Sequence, residues 1–577
     1  MLNIKILYGS QTGYACDLSL RLYNSLYRHG FNIIFIGFMD SYPIEDILED
    51  EMILFVCSTT GEGEEPDNMK QFWKFLLRRN LPVDFLDHLN FGVFGLGDSS
   101  YEKFNFTSKK LFKRLKMLGG ESILDRGDGD DRHYLGVDGA YIPWEKELIK
   151  NLLDMENRSF EKIEEYLLPP ASFQLKLIEK EINQTDYEEE EALEENWIKF
   201  NVIKNERVTS KDHFQDSRHL IFESIEEVEL DYNMGDVALV KPENIDSEVD
   251  EFINLLNINE LKENYYLIEN VNNVRQLPTS LNNKPIKLRD LIKKYVDIHS
   301  IPKRTFFEYL LHFSNDSLEM EKIQEFLKDS EELLDYAQKP RRTIVECLND
   351  FQSYKININY LLDMFPLIQT RSFSISSYNK KRVELLVGIV EYKSQMKKLR
   401  TGLMGMFIKK ELKENNSIAI KLKKGSMKFP ADLTIPVIMI GPGLGVAPFR
   451  SVIEYRIENQ YYNNYLLFGC RYFNKDNYFY EEFQRYEKEN KLWFKTAYSR
   501  DTDQKVYVQD LIIKYKEILI DLIFNQNAYV FTCGSSKNMP KGVERAFKEI
   551  LGEVVDNSEE YLIEMKKKWR YQVECWD

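Results

Sequence analysis

Three clusters along the chain combine small, hydroxyl and cationic residues in patterns that suit bound phosphate. The first, Ser10-Gln11-Thr12-Gly13-Tyr14-Ala15, sits where an apolar run gives way to helical spacing. A strand-to-helix turn offers free backbone N–H groups and the positive end of a helix dipole. Gly13 permits close approach, and Ser10 and Thr12 can donate hydrogen bonds; an ordinary N-capped helix would read the same way. The second cluster is Arg371-Ser372-Phe373-Ser374-Ile375-Ser376-Ser377. The planar fork of Arg371 suits a pyrophosphate, Phe373 can stack on a ring, and Ser374 can reach a ring nitrogen or a migrating hydride. Alone, this run is also an ordinary strand. The third, Gly441-Pro442-Gly443-Leu444-Gly445-Val446-Ala447-Pro448, follows an apolar strand and opens a helix, where a dinucleotide pyrophosphate could lie.

Other residues sharpen each cluster. Ser58-Thr59-Thr60-Gly61-Glu62-Gly63-Glu64 and Leu96-Gly97-Asp98-Ser99-Ser100-Tyr101 follow the third and fourth apolar runs. Their glycines let backbone amides face a planar ring, and Tyr101 offers a plate to stack on it. Residues 125–131 supply a further loop. Downstream, Ser499 and Arg500 precede Lys505, Tyr507 and Gln509. Ser, Arg and Lys together fit a phosphate monoester, and Tyr507 can cover an adenine, which points to the 2′-phosphate of NADPH rather than to NADH. A solvated basic turn is the plainer reading. Near the end, Cys533-Gly534-Ser535 follows a strand, and the chain closes Arg570-Tyr571-Gln572-Val573-Glu574-Cys575-Trp576-Asp577. A Trp so close to the end is commonly frayed or packed.

The elements that must hold these residues follow from periodicity. Within residues 1–150, short apolar runs at 4–8, 33–36, 52–57, 91–96 and 122–124 alternate with helical spacing at 16–28 and 68–78. Continuous apolar strands between helices predict a parallel sheet covered on both faces, with ligands beyond the carboxyl ends of its strands. The pattern weakens over 151–172, where Pro169-Pro170 stops any helix, and this stretch is read as a hinge. The acidic run at 187–195 reads as a solvated loop. Strand-like alternation from 197 to about 242 resumes at Arg371, and residues 247–368 between them are largely helical, with helices expected at 248–256, 306–313 and 319–335. A helical block inserted in a β-barrel domain spanning 173–430 is the expectation. Strands at 436–440, 465–468, 492–497 and 529–532 build a second α/β domain over 431–577.

Composition bounds the function. The net charge of −17 over 577 residues argues against a nucleic-acid binder and for a protein whose partner docks through a basic surface. The acidic rim at Glu62, Glu64, Glu65 and Asp67 is expected to steer that partner. Six scattered cysteines, none in a CxxC pair, suit reduced thiols and a cytoplasmic setting. Met1-Leu2-Asn3 runs straight into a strand, so no leader or membrane anchor is expected, and no residue set is assigned to a metal.

In motif order and over its whole length, the chain resembles the diflavin reductases, the group that contains cytochrome P450 reductase, nitric oxide synthase reductase domains and sulfite reductase flavoproteins. Within the group it is most similar to the soluble, NADPH-dependent branch of cytosolic iron–sulfur protein assembly. The segments that suggest this branch are Asp212-His213-Phe214-Gln215-Asp216-Ser217-Arg218, Gly235 to Asn244, Lys339-Pro340-Arg341-Arg342-Thr343, and the residues Thr60 and Phe373. The resemblance implies a multidomain α/β plus β-barrel fold. Its parts would be a flavodoxin-like FMN domain, an FAD-binding barrel with a helical connecting insert, and a ferredoxin-NADP reductase-like NADP-binding domain. It implies FMN phosphate on Ser10 to Ala15 and the FMN ring among Ser58, Thr59, Thr60, Gly61, Gly63, Leu96, Gly97, Asp98, Tyr101, Phe104 and Asn105, with Asp130 nearby. FAD would take Arg371, Phe373, Ser374 and the loop of Gly402, Met404 and Gly405. NADPH would take Gly443, Gly445, Val446, Ala447, Pro448, Ser499, Arg500, Lys505, Tyr507 and Gln509. Ser374, Cys533 and Glu574 would stand beside the flavin N5, with Trp576 as the shielding indole. Two positions depart from the family pattern: Gly402-Leu403-Met404-Gly405 lacks the hydroxyl expected on the FAD pyrophosphate, and Glu574 replaces the commoner Asp. The implied activity carries electrons from NADPH through FAD and FMN to an anamorsin-type iron–sulfur protein. A P450- or sulfite-reductase-type donor and a redox-inactive scaffold are the alternatives.

Overall fold

The computed structural model describes residues 2–576 except 62, 102, 160–165, 179–195, 227–228 and 395–396, so the acidic run, part of the hinge, Glu62 and Asp577 lie outside the described residues. The chain divides into two compact units: residues 1–192, 243–369 and 393–399, and residues 193–242, 370–392 and 400–577.

In the first unit, strands β1 (Asn3–Gly9), β2 (Asn32–Phe38), β3 (Met52–Ser58), β4 (Asn90–Gly97) and β5 (Glu121–Ser122) form a parallel sheet in the order β2-β1-β3-β4-β5. The order reverses at β1, which sets a crevice beyond the carboxyl ends of β1 and β3. Side chains alternate across the sheet, so β3 feeds two cores. Met52, Leu54 and Val56 pack on one face with α1 (Tyr14–Arg28), and Ile53, Phe55 and Cys57 on the other with α2 (Lys70–Leu76) and α3 (Phe106–Met117). The expected loop at 125–131 contains a strand, β6 (Gly127–Asp130), paired in parallel with β4. Its composition hides it: a Cβ at 127 would overlap the Phe94 ring, so only glycine lets this backbone approach β4.

The helical block of residues 243–369 belongs to this same unit. Its core is aromatic, with Phe306 edge-on to Phe307 and Phe252 edge-on to Phe365. The continuous helix expected at 319–335 is broken. Asp329 leaves helical geometry after Ser317–Lys328, and its carboxylate accepts from the N–H groups of Glu331 and Glu332 to start Ser330–Leu333. The block meets the parallel domain where Ser330 Oγ donates at 2.6 Å to Asp138, itself paired with Arg21, and where Arg28 pairs with Glu308.

In the second unit, six antiparallel strands run in the order Arg371–Ser374, Val237–Val240, Ser417–Lys423, Trp197–Arg207, Ser217–Ser224, Arg382–Gly388. A bridge between Ile375 and Leu385 nearly closes this sheet into a barrel around Phe200, Phe222, Leu385 and Ile420. A five-stranded parallel sheet follows, ordered Trp493–Tyr498, Asn464–Cys470, Val437–Pro442, Tyr529–Ser535, Tyr571–Trp576. Among the described residues no helix is long and apolar enough to cross a membrane, and all six cysteines are free thiols.

Candidate active site

The turn after β1 is shaped for an anion. Gly13 has φ +85°, outside the range comfortable for other residues, and a Cβ there would meet nothing within 4 Å. Gln11 is clamped to Asp67, whose N–H donates to Gln11 Oε1 at 3.0 Å, and Ser10 N–H donates to Asn68 Oδ1 at 2.9 Å. The Ser10 hydroxyl is buried with no protein partner, so an unsatisfied donor is left at the turn before the 15-residue α1. Thr12 is exposed and Ala15 is buried beneath the turn. A phosphate fits this donor set.

The ring loops meet the same sheet edge. The loop after β3 is tied by reciprocal backbone bonds between Thr60 and Glu64, with Gly61 and Gly63 at positive φ. Thr59 N–H donates to Leu96 O at 3.0 Å, which couples this loop to β4, while Ser58 Oγ reaches Gly9 O at 3.3 Å. Gly97 is pinned by Asn105, whose Oδ1 would lie 2.6 Å from a Cβ there. Asn105 itself is buried, adopts φ +50°, and donates to Gly129 O at 3.0 Å. Asp98 accepts from Ser100, and Asp130 accepts from the N–H groups of Ser99 and Arg132, both at 3.0 Å. Burial raises the Asp130 carboxyl, but its bonds to Ser99 and Arg132 together outweigh that and hold it below the usual range. Tyr101 remains 41% exposed, as a stacking plate must be. Phe104 is covered on one side by the Lys109 ammonium, 5.2 Å from its ring centre.

In the second unit, the strand Arg371–Ser374 lies antiparallel to Val237–Val240, with Ser374 opposite Val237. Arg371 and Ser374 are partly exposed, whereas Phe373 packs against the barrel core. Met404 is buried in that core. Gly405 explains the missing hydroxyl: a Cβ there would lie 3.0 Å from Ile389 Cγ2 and 3.2 Å from Thr401 Cγ2. Gly402 is open, its nearest neighbour being Val390 at 3.9 Å. The partly exposed Arg371 fork and the Ser374 hydroxyl suit the FAD group that the barrel would hold.

The glycine-rich turn at Gly443–Val446 joins the strand Val437–Pro442 to the helix Ala447–Glu458, which carries Pro448 in its first turn. Gly443 has φ +58° and open space at its Cβ position, whereas a Cβ at 445 would overlap the Cys533 carbonyl. Gly445 therefore brings the turn directly onto Cys533. The next strand along carries Glu574 opposite Cys533 and Trp576 opposite Ser535. Burial first, then Glu574 and Cys575, pushes the Cys533 thiol well above its usual range, which keeps it protonated at neutral pH. Trp576 is partly buried and packs against the cluster that contains Val446 and Cys533. Ser499 N–H donates to Cys470 O at 3.0 Å, while Arg500 and Lys505 are exposed. Tyr507 caps the helix Val508–Lys514 and is 42% exposed, and Gln509 faces Gly542.

Three family models match in order: flavodoxin over residues 6–144, FAD binding domain over 191–407 and oxidoreductase NAD-binding domain over 439–545. The chain is 39% identical over 601 residues to NADPH-dependent diflavin oxidoreductase 1 of Xenopus laevis, covering 100% of this chain and 99% of that protein. The Schizosaccharomyces pombe protein of the same name is 36% identical, with coverage of 100% and 99%. That of Saccharomyces cerevisiae is 34% identical, with 99% of each covered. The chain belongs to the NADPH-dependent diflavin oxidoreductases.

Each unit also brings to its own motifs a residue with no sequence signal, Lys303 in the first and Ser426 in the second. Lys303, from the helical block, places its ammonium 4.2 Å from the Tyr14 ring centre, beside the phosphate turn. Burial lowers its pKa while Asp17, Cys16 and Asp131 pull the other way. Ser426 donates to Glu574 Oε2 at 2.6 Å, and Gln572 is clamped to the backbone of Lys428 in both directions, at 2.8 and 2.7 Å. The loop after Ser417–Lys423 thereby straps the last strand. Lys423 and Ser374 are both opposite Val237, so Ser374 and the strap leave the same end of the barrel. Only the fold joins these residues; nothing in their local sequence marks them.

Proposed function

We propose that this protein passes electrons from NADPH through FAD and FMN to a protein acceptor, an anamorsin-type iron–sulfur protein of cytosolic cluster assembly. Membership in the diflavin family makes it an NADPH-dependent oxidoreductase with FMN, FAD and NADPH as cofactors. The bound flavins supply the step from hydride to single-electron transfer; the chain supplies binding and orientation. The Gly13 turn and Ser10 hold a phosphate, Tyr101 and the glycine loops face a ring, and Arg371 takes a pyrophosphate. Arg500, Ser499 and Lys505 select the 2′-phosphate. Cys533 keeps its proton and Glu574, held by Ser426, stands beside it to orient a nicotinamide. The observation that carries the reading is Gly445 pressed on Cys533 with Glu574 adjacent, which joins a nucleotide turn to a polar redox site.

The acceptor assignment is supported by the segments shared with the assembly branch. One of them is a structural staple of the second unit: Asp212 pairs with Lys475, His213 lies 3.6 Å from Asp476, and Ser217 bonds Tyr478 at 2.8 Å. The test is to mix the NADPH-reduced protein with an oxidised anamorsin-type [2Fe–2S] protein in a stopped-flow cell. Loss of the cluster's visible absorbance within one turnover is expected. Unchanged cluster absorbance, with rapid reduction of a P450 haem instead, would move the protein to the other branch.

A further inference from the structure

Residues 6–20, which hold the turn after β1, contain neither Lys nor Arg, and Asp17 stands in the first turn of α1. The ring loops add Asp98, Asp130 and Asp131. A phosphate monoester carries about −1.5 to −2 charges at neutral pH. At this turn it would meet neutral donors and several carboxylates, so the local sequence leaves its charge unanswered. Arg21, the first cation of α1, is taken by Asp138, and Arg275, which acts on Cys16, is taken by Asp363.

A cation reaches the turn from the helical block. Lys303 Nζ lies 4.2 Å from the ring centre of Tyr14, the residue after Gly13. Asp17, three residues further along α1, acts on the same ammonium, and so does Asp131, just past the end of β6. The ammonium is therefore within electrostatic reach of both the phosphate turn and the ring loops. Among the described residues these carboxylates act on it through space, and neither is bonded to it. Burial holds the ammonium below its usual range in spite of Asp17, Cys16 and Asp131, so the cation is short of counter-charge where it stands. An ammonium on an aromatic face still has N–H donors for a further acceptor. The backbone fixes this placement. Lys303 is extended just before the helix Arg304–Phe313, its carbonyl accepts from Phe306 N–H at 3.1 Å, and Pro302 O accepts from Gln338 Nε2 at 2.7 Å. That helix then meets α1 again where Glu308 pairs with Arg28.

We propose that Lys303 is a ligand of the FMN phosphate, supplied to the parallel domain by the helical block. This rests on the diflavin reading above. Gly13 gives the turn its shape and Ser10 gives a neutral donor; Lys303 gives the opposite charge. Hydrogen bonds to an ionised group are roughly twice as strong as neutral ones, and burial strengthens them further. The cation thus sets the preference for the phosphorylated flavin over riboflavin, which has the same ring and no phosphate. It also makes FMN retention depend on a segment far along the chain from the turn.

The test uses the full-length protein, depleted of FMN and still holding FAD, titrated separately with FMN and with riboflavin while flavin fluorescence reports Kd. Lys303→Met is expected to raise the Kd for FMN about tenfold or more and to leave that for riboflavin unchanged. The milder Lys303→Gln, which keeps a neutral donor, should fall between Lys303→Met and the unaltered protein, and it should shift the phosphorus NMR signal of bound FMN. Equal losses for the two flavins in both variants would make Lys303 a packing residue and overturn the proposal. Unchanged FMN affinity in both variants overturns it as well, and either result leaves the diflavin reading intact. Failure of the unaltered protein to bind either flavin overturns both.

Discussion

The molecule builds two strand–turn–helix anion sites, one after β1 and one after Val437–Pro442, and they solve different problems. Both turn on an open glycine at positive φ, Gly13 and Gly443. The first then adds hydroxyls, with Ser10 buried and unpaired, as a terminal phosphate needs several donors. The second adds closeness instead: Gly445 lets the turn touch the Cys533 carbonyl, so a nucleotide held there is also aimed. One turn is a socket, the other a socket that orients.

The contrast is sharpest at Gly445. Gly445→Ala must push back the Cys533 backbone, and overpacking of this kind costs about 1–3 kcal/mol. We expect kcat/KM for NADPH to fall roughly a hundredfold through lost alignment, whereas Gly443→Ala, with open space around it, should lose far less. Similar losses at both glycines, measured by steady-state kinetics, would erase the distinction between the two kinds of turn.

Arg500→Ala should cost about ten- to a hundredfold in kcat/KM for NADPH, because hydrogen bonds to charged groups contribute roughly 1.5–3 kcal/mol. NADH turnover should hardly change. Equal losses for the two nucleotides would mean that Arg500 serves the fold. At the other turn, Ser10→Ala should weaken FMN retention about tenfold by loss of one donor, with FAD content unaltered. Flavin analysis after dialysis would show it, and loss of both flavins would count against separate sites.

The smallest effect lies away from both turns. Burial pushes the Glu454 carboxyl up to about 7, with Arg450 and the Tyr378 N–H pulling it down. The folded state thus keeps a proton that the unfolded chain releases near pH ~4.3. The stability from this site is full below that pH and is lost as pH rises through about 7. Glu454→Gln should leave the melting temperature at pH 5 nearly unchanged and raise it by about 2 °C at pH 8. A lower melting temperature at pH 8 would show that the pair Glu454–Arg450, 2.8 Å apart, outweighs burial.

Much of this was legible in the sequence because the signals are local. The run Met52 to Cys57 declares a strand buried on both faces, and Gly441 to Pro448 declares a strand–turn–helix junction. Other features needed the fold. The strand Gly127–Asp130 has no hydrophobic pattern, since its glycines exist to admit Phe94. The break at Asp329 hides inside good helical spacing because a capping carboxylate costs the pattern nothing. Lys303 and Ser426 act on Tyr14 and Glu574 across long loops, and the packing of Met404 and Gly405 against the barrel is visible only in the fold.

The central claim is that one turn holds FMN, the other serves NADPH, and electrons leave through the first. Thr12→Asp tests it directly, because Thr12 is exposed at the first turn and a carboxylate there repels a phosphate without touching the core. The variant is expected to keep one FAD per chain and to oxidise NADPH with ferricyanide at near the original rate. It should lack FMN and fail to reduce a protein acceptor, with recovery of neither on adding NADPH alone. Full acceptor reduction by an FMN-free variant would contradict the account.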